Sequence, residues 1–123
     1  MILERGSVAL VGLDPTVRHE QRGQRPCVVV SDPVILRDQR YPLVGIVPVT
    51  GTPADGALYP MLEPGSSGLR KVSFALVDQV RSVDKRRVRR VYGRVSADEL
   101  RRISEGLMLF FGLDEEGSVA DAP

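Results

Sequence analysis

Arg25 stands immediately before Pro26, at the end of a polar stretch, H-E-Q-R-G-Q-R-P, that also carries His19, Glu20 and Gln21. A residue before proline is pushed out of the helical region into extended backbone. Arg25 is therefore held where a loop becomes a strand, and its guanidinium offers planar, bidentate donors that suit phosphate. Thr50 closes a second apolar run, I-V-P-V-T, and its hydroxyl could hydrogen-bond a phosphoryl oxygen. His19 is the only histidine, so a pair of histidines sharing acid and base roles is excluded. Metal catalysis wants carboxylates or histidines clustered at ligand spacing, and none stands out, so no metal and no cofactor is expected. What is left is arginine and hydroxyl chemistry. Each of these residues also has an ordinary use. Arg25 could pair with a surface acid, Thr50 could serve a turn, and Glu20 and His19 could sit in solvent.

The elements that must position these groups are short and β-rich. Apolar runs at residues 8–13, 25–31 and 43–49 read as strands, the second apolar throughout and so buried on both faces. Residues 14–24 form the loop between the first two. Pro48 cannot donate to a ladder, which places that end of the third strand at an edge or a bulge. A short helical turn is expected near residues 34–41, a weak fourth strand over 57–63, a long fifth over 72–83 and a sixth over 88–95. Alternation along the fifth would put Gln79 and Arg81 on one face and Asp78 on the other, Gln79 to read a base edge and Arg81 to hold a phosphate. Asp78 would otherwise be a buried acid satisfied by backbone amides.

At residue 96 the pattern changes. Ser96 and Glu99 make a capping box, and Leu100, Ile103, Leu107 and Phe110 follow at helical spacing, with Phe111 beside them. Gly112 is a natural stop. Short strands followed by one amphipathic helix give a mainly β (α+β) fold, a small barrel-like domain over residues 1–113. Residues 114–123 are acidic and small, an expected disordered tail.

At 123 residues, with 42% hydrophobic and 27% charged side chains, the chain has the composition of one globular domain. No apolar run is long enough to span a membrane, and the N-terminus lacks a signal-peptide layout, so a cytoplasmic location is expected. The single cysteine, Cys27, excludes an internal disulfide and reads as a small core residue. Net charge is only +1, but residues 70–102 hold eleven basic and four acidic side chains. Such a block suits a polyanion partner, or a solvated face.

Four blocks occur in order: R-G-S-V, then L-D-P-T-x-x-H-E-Q-x-G-x-R-P-x-V-V-V-S, then I-V-P-V-T, then A-L-V-D-Q-V-R-S-V-D-K-R-R. Over residues 5–113 the chain resembles the MazF/PemK family of toxin endoribonucleases. The resemblance implies an SH3-like barrel with a C-terminal helix that works as a homodimer. It implies catalytic roles for Arg25 in G-x-R-P and Thr50 in V-P-x-T, and for Glu20 as the acceptor of a 2′-proton. His19, Gln21, Gln79 and Arg81 are the substrate-binding candidates, the last two in a segment that in the family lies near the groove and the dimer contact. The implied activity is metal-independent, sequence-selective cleavage of single-stranded RNA, leaving 2′,3′-cyclic phosphate and 5′-hydroxyl ends. The implied partner is a cognate antitoxin whose acidic segment folds across the basic groove, in a complex that binds DNA. Arginine stays protonated far above working pH, so the expected role of Arg25 is electrostatic stabilisation of the pentacovalent phosphate.

The chain departs from that pattern at several places. Ala9 stands where an aromatic is common, Ser7 replaces an acid, Arg18 replaces a glycine, and Gly51 replaces a second hydroxyl after Thr50. With the aromatic gone, Arg18 or Arg22 would have to stack on a base. Two other functions compete. A CcdB-like toxin, thought to share this fold, poisons gyrase by binding it through a tail with a tryptophan, and this chain has none. An inactive nucleic-acid-binding module of the same fold is the other.

Overall fold

Three valine-rich strands lie at the centre of the sheet and bury both of their faces. They are β1 (Ser7–Gly12), β2 (Gln24–Val29) and β3 (Leu43–Thr50), paired antiparallel with Ala9 opposite Cys27 and Cys27 opposite Pro48. Successive strand residues point to opposite faces. Val8, Val28, Val47 and Val49 therefore enter one core, while Ala9, Val11, Cys27, Val29, Val44 and Ile46 enter the other. This computed structural model describes residues 2–113, so the expected tail at 114–123 lies outside the described residues.

The remaining elements are α1 (Pro33–Arg37), β4 (Met61–Leu62), β5 (Ser73–Ala75), β6 (Arg81–Asp84), β7 (Val88–Arg94) and α2 (Ala97–Phe111). Every strand pairing is antiparallel, in the order β4-β5-β3-β2-β1-β7, with β6 also beside β3. The sheet curls into a half-barrel with the C-terminal helix against one face, the fold class expected from the sequence.

Three expectations about strands are corrected. The long strand over 72–83 is two, β5 and β6, which pair with opposite halves of β3 and are separated by a 3-10 turn, Val77–Gln79. Of the two places expected for Pro48, an edge or a bulge, it is not at an edge. It is buried on the central strand, with its carbonyl accepting from the Leu76 amide at 2.8 Å. Because a residue's amide and carbonyl point the same way from a strand, the missing amide faces the gap where β3 changes partner from β6 to β5. Of the weak strand over 57–63, only Met61 and Leu62 pair.

Helix α2 runs as expected, with both capping-box hydrogen bonds present and Gly112 left-handed at φ 65°. Its buried face is Glu99, Ile103 and Gly106, flanked by Leu100 and Leu107. Phe110 and Phe111 do not join the core: they are 44% and 54% exposed and pack on one another at 5.2 Å. The support beneath the helix, Val77 and the Ala57 carbonyl, meets it at Gly106, one turn too early for them. No described helix is long and apolar enough to cross a membrane.

Candidate active site

β2 and β3 carry Arg25 and Thr50, the two residues whose side chains suit phosphate chemistry. Their paired register ends at Cys27 opposite Pro48, and extending it by two residues would set Arg25 across from Thr50. Both line one pocket of about 320 Å³. Thr50 is half-buried, and its Oγ1 accepts from the Thr52 amide at 3.1 Å. Arg25 is exposed, and its Nε donates to the Arg22 carbonyl at 3.1 Å. Neither end of its guanidinium is bound to a described acid.

Sequence reasoning missed the other walls. Arg70 and Lys71 come from the loop before β5, and Tyr92 comes from β7. Gly51, one of the departures noted above, explains how Lys71 gets there. A Cβ at Gly51 would stand 2.4 Å from Lys71 Cε and 2.8 Å from Nζ, so the lysine lies across the space that a side chain would fill. The pocket thus gathers three cations and no carboxylate or imidazole. A pocket so lined attracts a polyanion. The available signal was Gly51 itself, since a missing side chain beside a candidate hydroxyl leaves room for something else.

Much of the basic block is used elsewhere. Arg86 pairs with Asp84, Arg94 with Glu4, and Arg101 and Arg102 with Asp98. Arg86 holds the Asp84 carboxyl down at about 2. Arg87 donates to the carbonyls of Gly12 and Asp14, and Lys85 donates to Ile35 and Asp38 at the end of α1. The local excess of charge is therefore no uniform binding face.

The structure places Glu20, Gln21, Gln79 and Arg81 in a different recess, a cleft of about 130 Å³ beside Pro48. Pro48 and Thr50 share a strand face and lie about 7 Å apart along it, so cleft and pocket adjoin. His19, Arg18, Glu20 and Gln79 border a more open groove that shares Glu20 and Gln79 with the cleft. The cleft groups are tied to the fold. The Gln21 amide donates to Gln79 Oε1 at 2.8 Å, Arg81 Nη1 donates to the Leu13 carbonyl at 2.9 Å, and Glu20 Oε1 accepts from the Val17 amide at 2.5 Å. Gln79 and Arg81 do border one recess, but from a 3-10 turn and a strand end rather than by strand alternation.

Asp78 accepts from the Tyr59 hydroxyl at 2.6 Å, not from backbone amides, and its Oδ1 is buried without a partner. That bond pushes the Tyr59 hydroxyl above its ordinary pKa. Arg18 and Arg22, the expected stacking arginines, are absent from the Arg25 pocket. Arg18 has φ 40°, the left-handed backbone that glycine enters freely, which gives a reason for glycine at that place. Cys27 is fully buried, and burial pushes its thiol up to about 12, partly offset by Arg81. Among the described residues no three His, Cys, Asp or Glu side chains come together as a metal set.

Comparison with known proteins places the chain in a family and matches its fold. The family described as PemK-like, MazF-like toxin of type II toxin–antitoxin system matches residues 4–111. The chain is 36% identical over 119 residues to endoribonuclease MazF9 of Mycobacterium tuberculosis, covering 91% of this chain and 98% of that protein. It is 37% identical over 109 residues to endoribonuclease PemK of Escherichia coli, covering 83% and 80%. Its fold superposes on the crystal structure of MazF from Deinococcus radiodurans with a TM-score of 0.76 at 26% identity, covering 91% and 98%.

Proposed function

We propose, from the premise that this chain belongs to the PemK-like, MazF-like family of type II toxin–antitoxin toxins, that it is an endoribonuclease whose cleavage centre is the Arg25–Thr50 pocket. The observation that carries the site assignment is the cross-strand placement of a guanidinium and a hydroxyl in one cation-rich recess. Both are set by the β2–β3 register, so neither needs a loop to order before it can act.

The reaction we assign begins with the ribose 2′-oxygen attacking the adjacent phosphorus. A 2′-O–P bond forms and the P–O5′ bond breaks, giving a 2′,3′-cyclic phosphate and a 5′-hydroxyl. Only RNA supplies that nucleophile. Charge accumulates on the non-bridging oxygens, where the Arg25 fork donates two hydrogen bonds and the Thr50 hydroxyl a third. Lys71 adds a compact positive charge beside Thr50. The 2′-proton needs an acceptor, and the pocket has none of its own. Glu20, in the adjoining cleft, is the carboxylate we assign to it, reached when the loop over residues 13–23 swings toward Thr50. The leaving 5′-oxygen takes its proton from Arg25 only where it hydrogen-bonds that group directly, and otherwise from water. His19, Gln21, Gln79 and Arg81 would meet the flanking nucleotides along the cleft and groove. We place the chain in the cytoplasm, as a homodimer restrained by a cognate antitoxin with an acidic segment that competes with RNA for the pocket cations.

Incubation of a mixed RNA pool in EDTA with the wild-type chain, Arg25→Ala and Arg25→Lys tests this. The wild type should cut at a defined sequence and leave cyclic ends. Arg25→Ala should lose about a thousandfold or more, and Arg25→Lys should lose most of the rate because lysine cannot form the fork. Near-wild-type cleavage by Arg25→Lys refutes the bidentate role, and near-wild-type cleavage by Arg25→Ala refutes the site.

A further inference from the structure

The pocket has one aromatic wall, Tyr92, which neither the fold nor the phosphate chemistry requires. Pairing of β7 with β1 steps from Val8 opposite Gly93 to Ala9 opposite Val91, so Tyr92 is the extra residue of a bulge. Bulges re-aim side chains at sheet edges, and β7 is an edge strand. Tyr92 belongs to neither core and is 38% exposed. The Arg90 guanidinium lies 5.4 Å from the ring centroid, which leaves the opposite face of the ring free of it.

The ring's position is set by main chain. A Cβ on Gly93 would stand 2.2 Å from the Ser66 carbonyl oxygen, and one on Gly68 would stand 2.6 Å from Tyr92 Cβ. Those contacts involve backbone or Cβ atoms, which cannot swing aside. Two glycines thus seat the loop that leads to Arg70 and Lys71 directly against the strand carrying Tyr92. Ala9, by contrast, is fully buried in the second core and presents nothing to the pocket.

We infer that Tyr92 is a stacking platform for the nucleobase beside the scissile linkage, and so helps set which base is accepted next to the cut. The inference deepens the endoribonuclease reading and rests on it. Bases of single-stranded RNA are recognised by stacking on aromatic faces. The pocket otherwise offers cations and a hydroxyl, which hold phosphate and ribose but give a base no surface. Stacking needs the ring and not the hydroxyl, so phenylalanine serves in its place and leucine does not. A purine, with the larger π-face, is preferred at this position.

The test uses the full chain and two substrates. The first is a short 2′-O-methyl RNA, which cannot be cut, carrying 2-aminopurine at alternate positions. Wild type and Tyr92→Phe should quench its fluorescence on binding, and Tyr92→Leu should bind with the quench lost. The second is a cleavable RNA with the mapped site, with or without the base beside the cut. Tyr92→Leu should lower kcat/KM by about 10- to 100-fold on the intact RNA, and removal of that base should abolish the difference from wild type. Equal quenching by Tyr92→Leu, or the same loss on abasic RNA as on intact RNA, overturns the inference. Failure of the wild type to cut any RNA would instead overturn the nuclease reading, while the quenching arm still reports on Tyr92.

Discussion

The pocket at Thr50 and the cleft at Pro48 adjoin on one strand and are built in opposite ways. Arg25, Arg70 and Lys71 meet in the pocket with no acid beside them. In the cleft, Gln79 accepts from the loop at Gln21, Arg81 is bound to Leu13, and Glu20 is turned back on Val17. Donors and acceptors already used inside the fold stabilise it, and a ligand that wants them must displace those bonds. Donors without partners do little for the fold and are available to an anion. In our proposal the pocket handles phosphate as it stands, while Glu20 must leave its bond to Val17 before it can take the 2′-proton. The sequence grouped Glu20 with Arg25 and Thr50, and the structure sets it in the cleft with Gln21, Gln79 and Arg81.

That contrast predicts a split between rate and stability. Thr50→Ala should lower kcat by about a hundredfold or more, since it removes a donor to the developing charge. Its melting temperature should move little, because only the Thr52 amide loses a partner. Arg81→Ala should do the reverse. It leaves the Leu13 carbonyl without its donor, which costs about 1–3 kcal/mol. Thermal melts should register that loss, while the folded enzyme keeps its rate to within about tenfold. A hundredfold loss in rate at unchanged melting temperature would move Arg81 from the scaffold to the chemistry.

A finer test concerns the lysine within the pocket. Gly51→Ser would push Lys71 aside, lowering kcat/KM by about 2- to 5-fold, the size of one exposed charge contact. Adding Lys71→Ala should then cost little more, because both changes remove the same ammonium. Independent, multiplying losses would show that Gly51 acts in some other way.

A last test, read only at high pH, concerns the buried Cys27 on β2. The Cys27 thiol ionises near 9.0 in the unfolded chain and at about 12 when buried. Its folded pKa is raised, so its contribution is fully present below pH 9 and is lost as pH rises toward 12. Melting temperature should decline over that window, and Cys27→Ala should flatten the decline. A thiol reagent at neutral pH should leave the native protein unlabelled, and rapid labelling there would contradict the burial of Cys27.

Much of the molecule was legible in the residues. The valine runs located the three central strands, because a strand buried on both faces is apolar without interruption. Ser96, Glu99 and Gly112 marked α2 at both ends, because caps act through neighbours three or four residues away. Arg25 and Thr50 were singled out by a proline lock and a strand end together with the G-x-R-P and V-P-x-T motifs of the resembling family. The split of β5 from β6 was not legible, since V-S-F-A-L-V-D-Q-V-R-S-V has strand composition throughout. The break is set by β3, whose two halves are met by two different strands.

The sequence by itself determined the central strands and the capped helix, which depend on neighbours close along the chain, and offered Arg25 and Thr50 as candidates for phosphate chemistry. Only the tertiary structure decided that Arg25 stands across from Thr50, that Lys71 crosses Gly51, and that Tyr92 forms the third wall while Glu20, Gln79 and Arg81 lie in the next recess. Those facts depend on strand register and on a bulge. Both are set by which residues meet across distances of about 20 to 85 positions along the chain, and no local pattern encodes such a meeting.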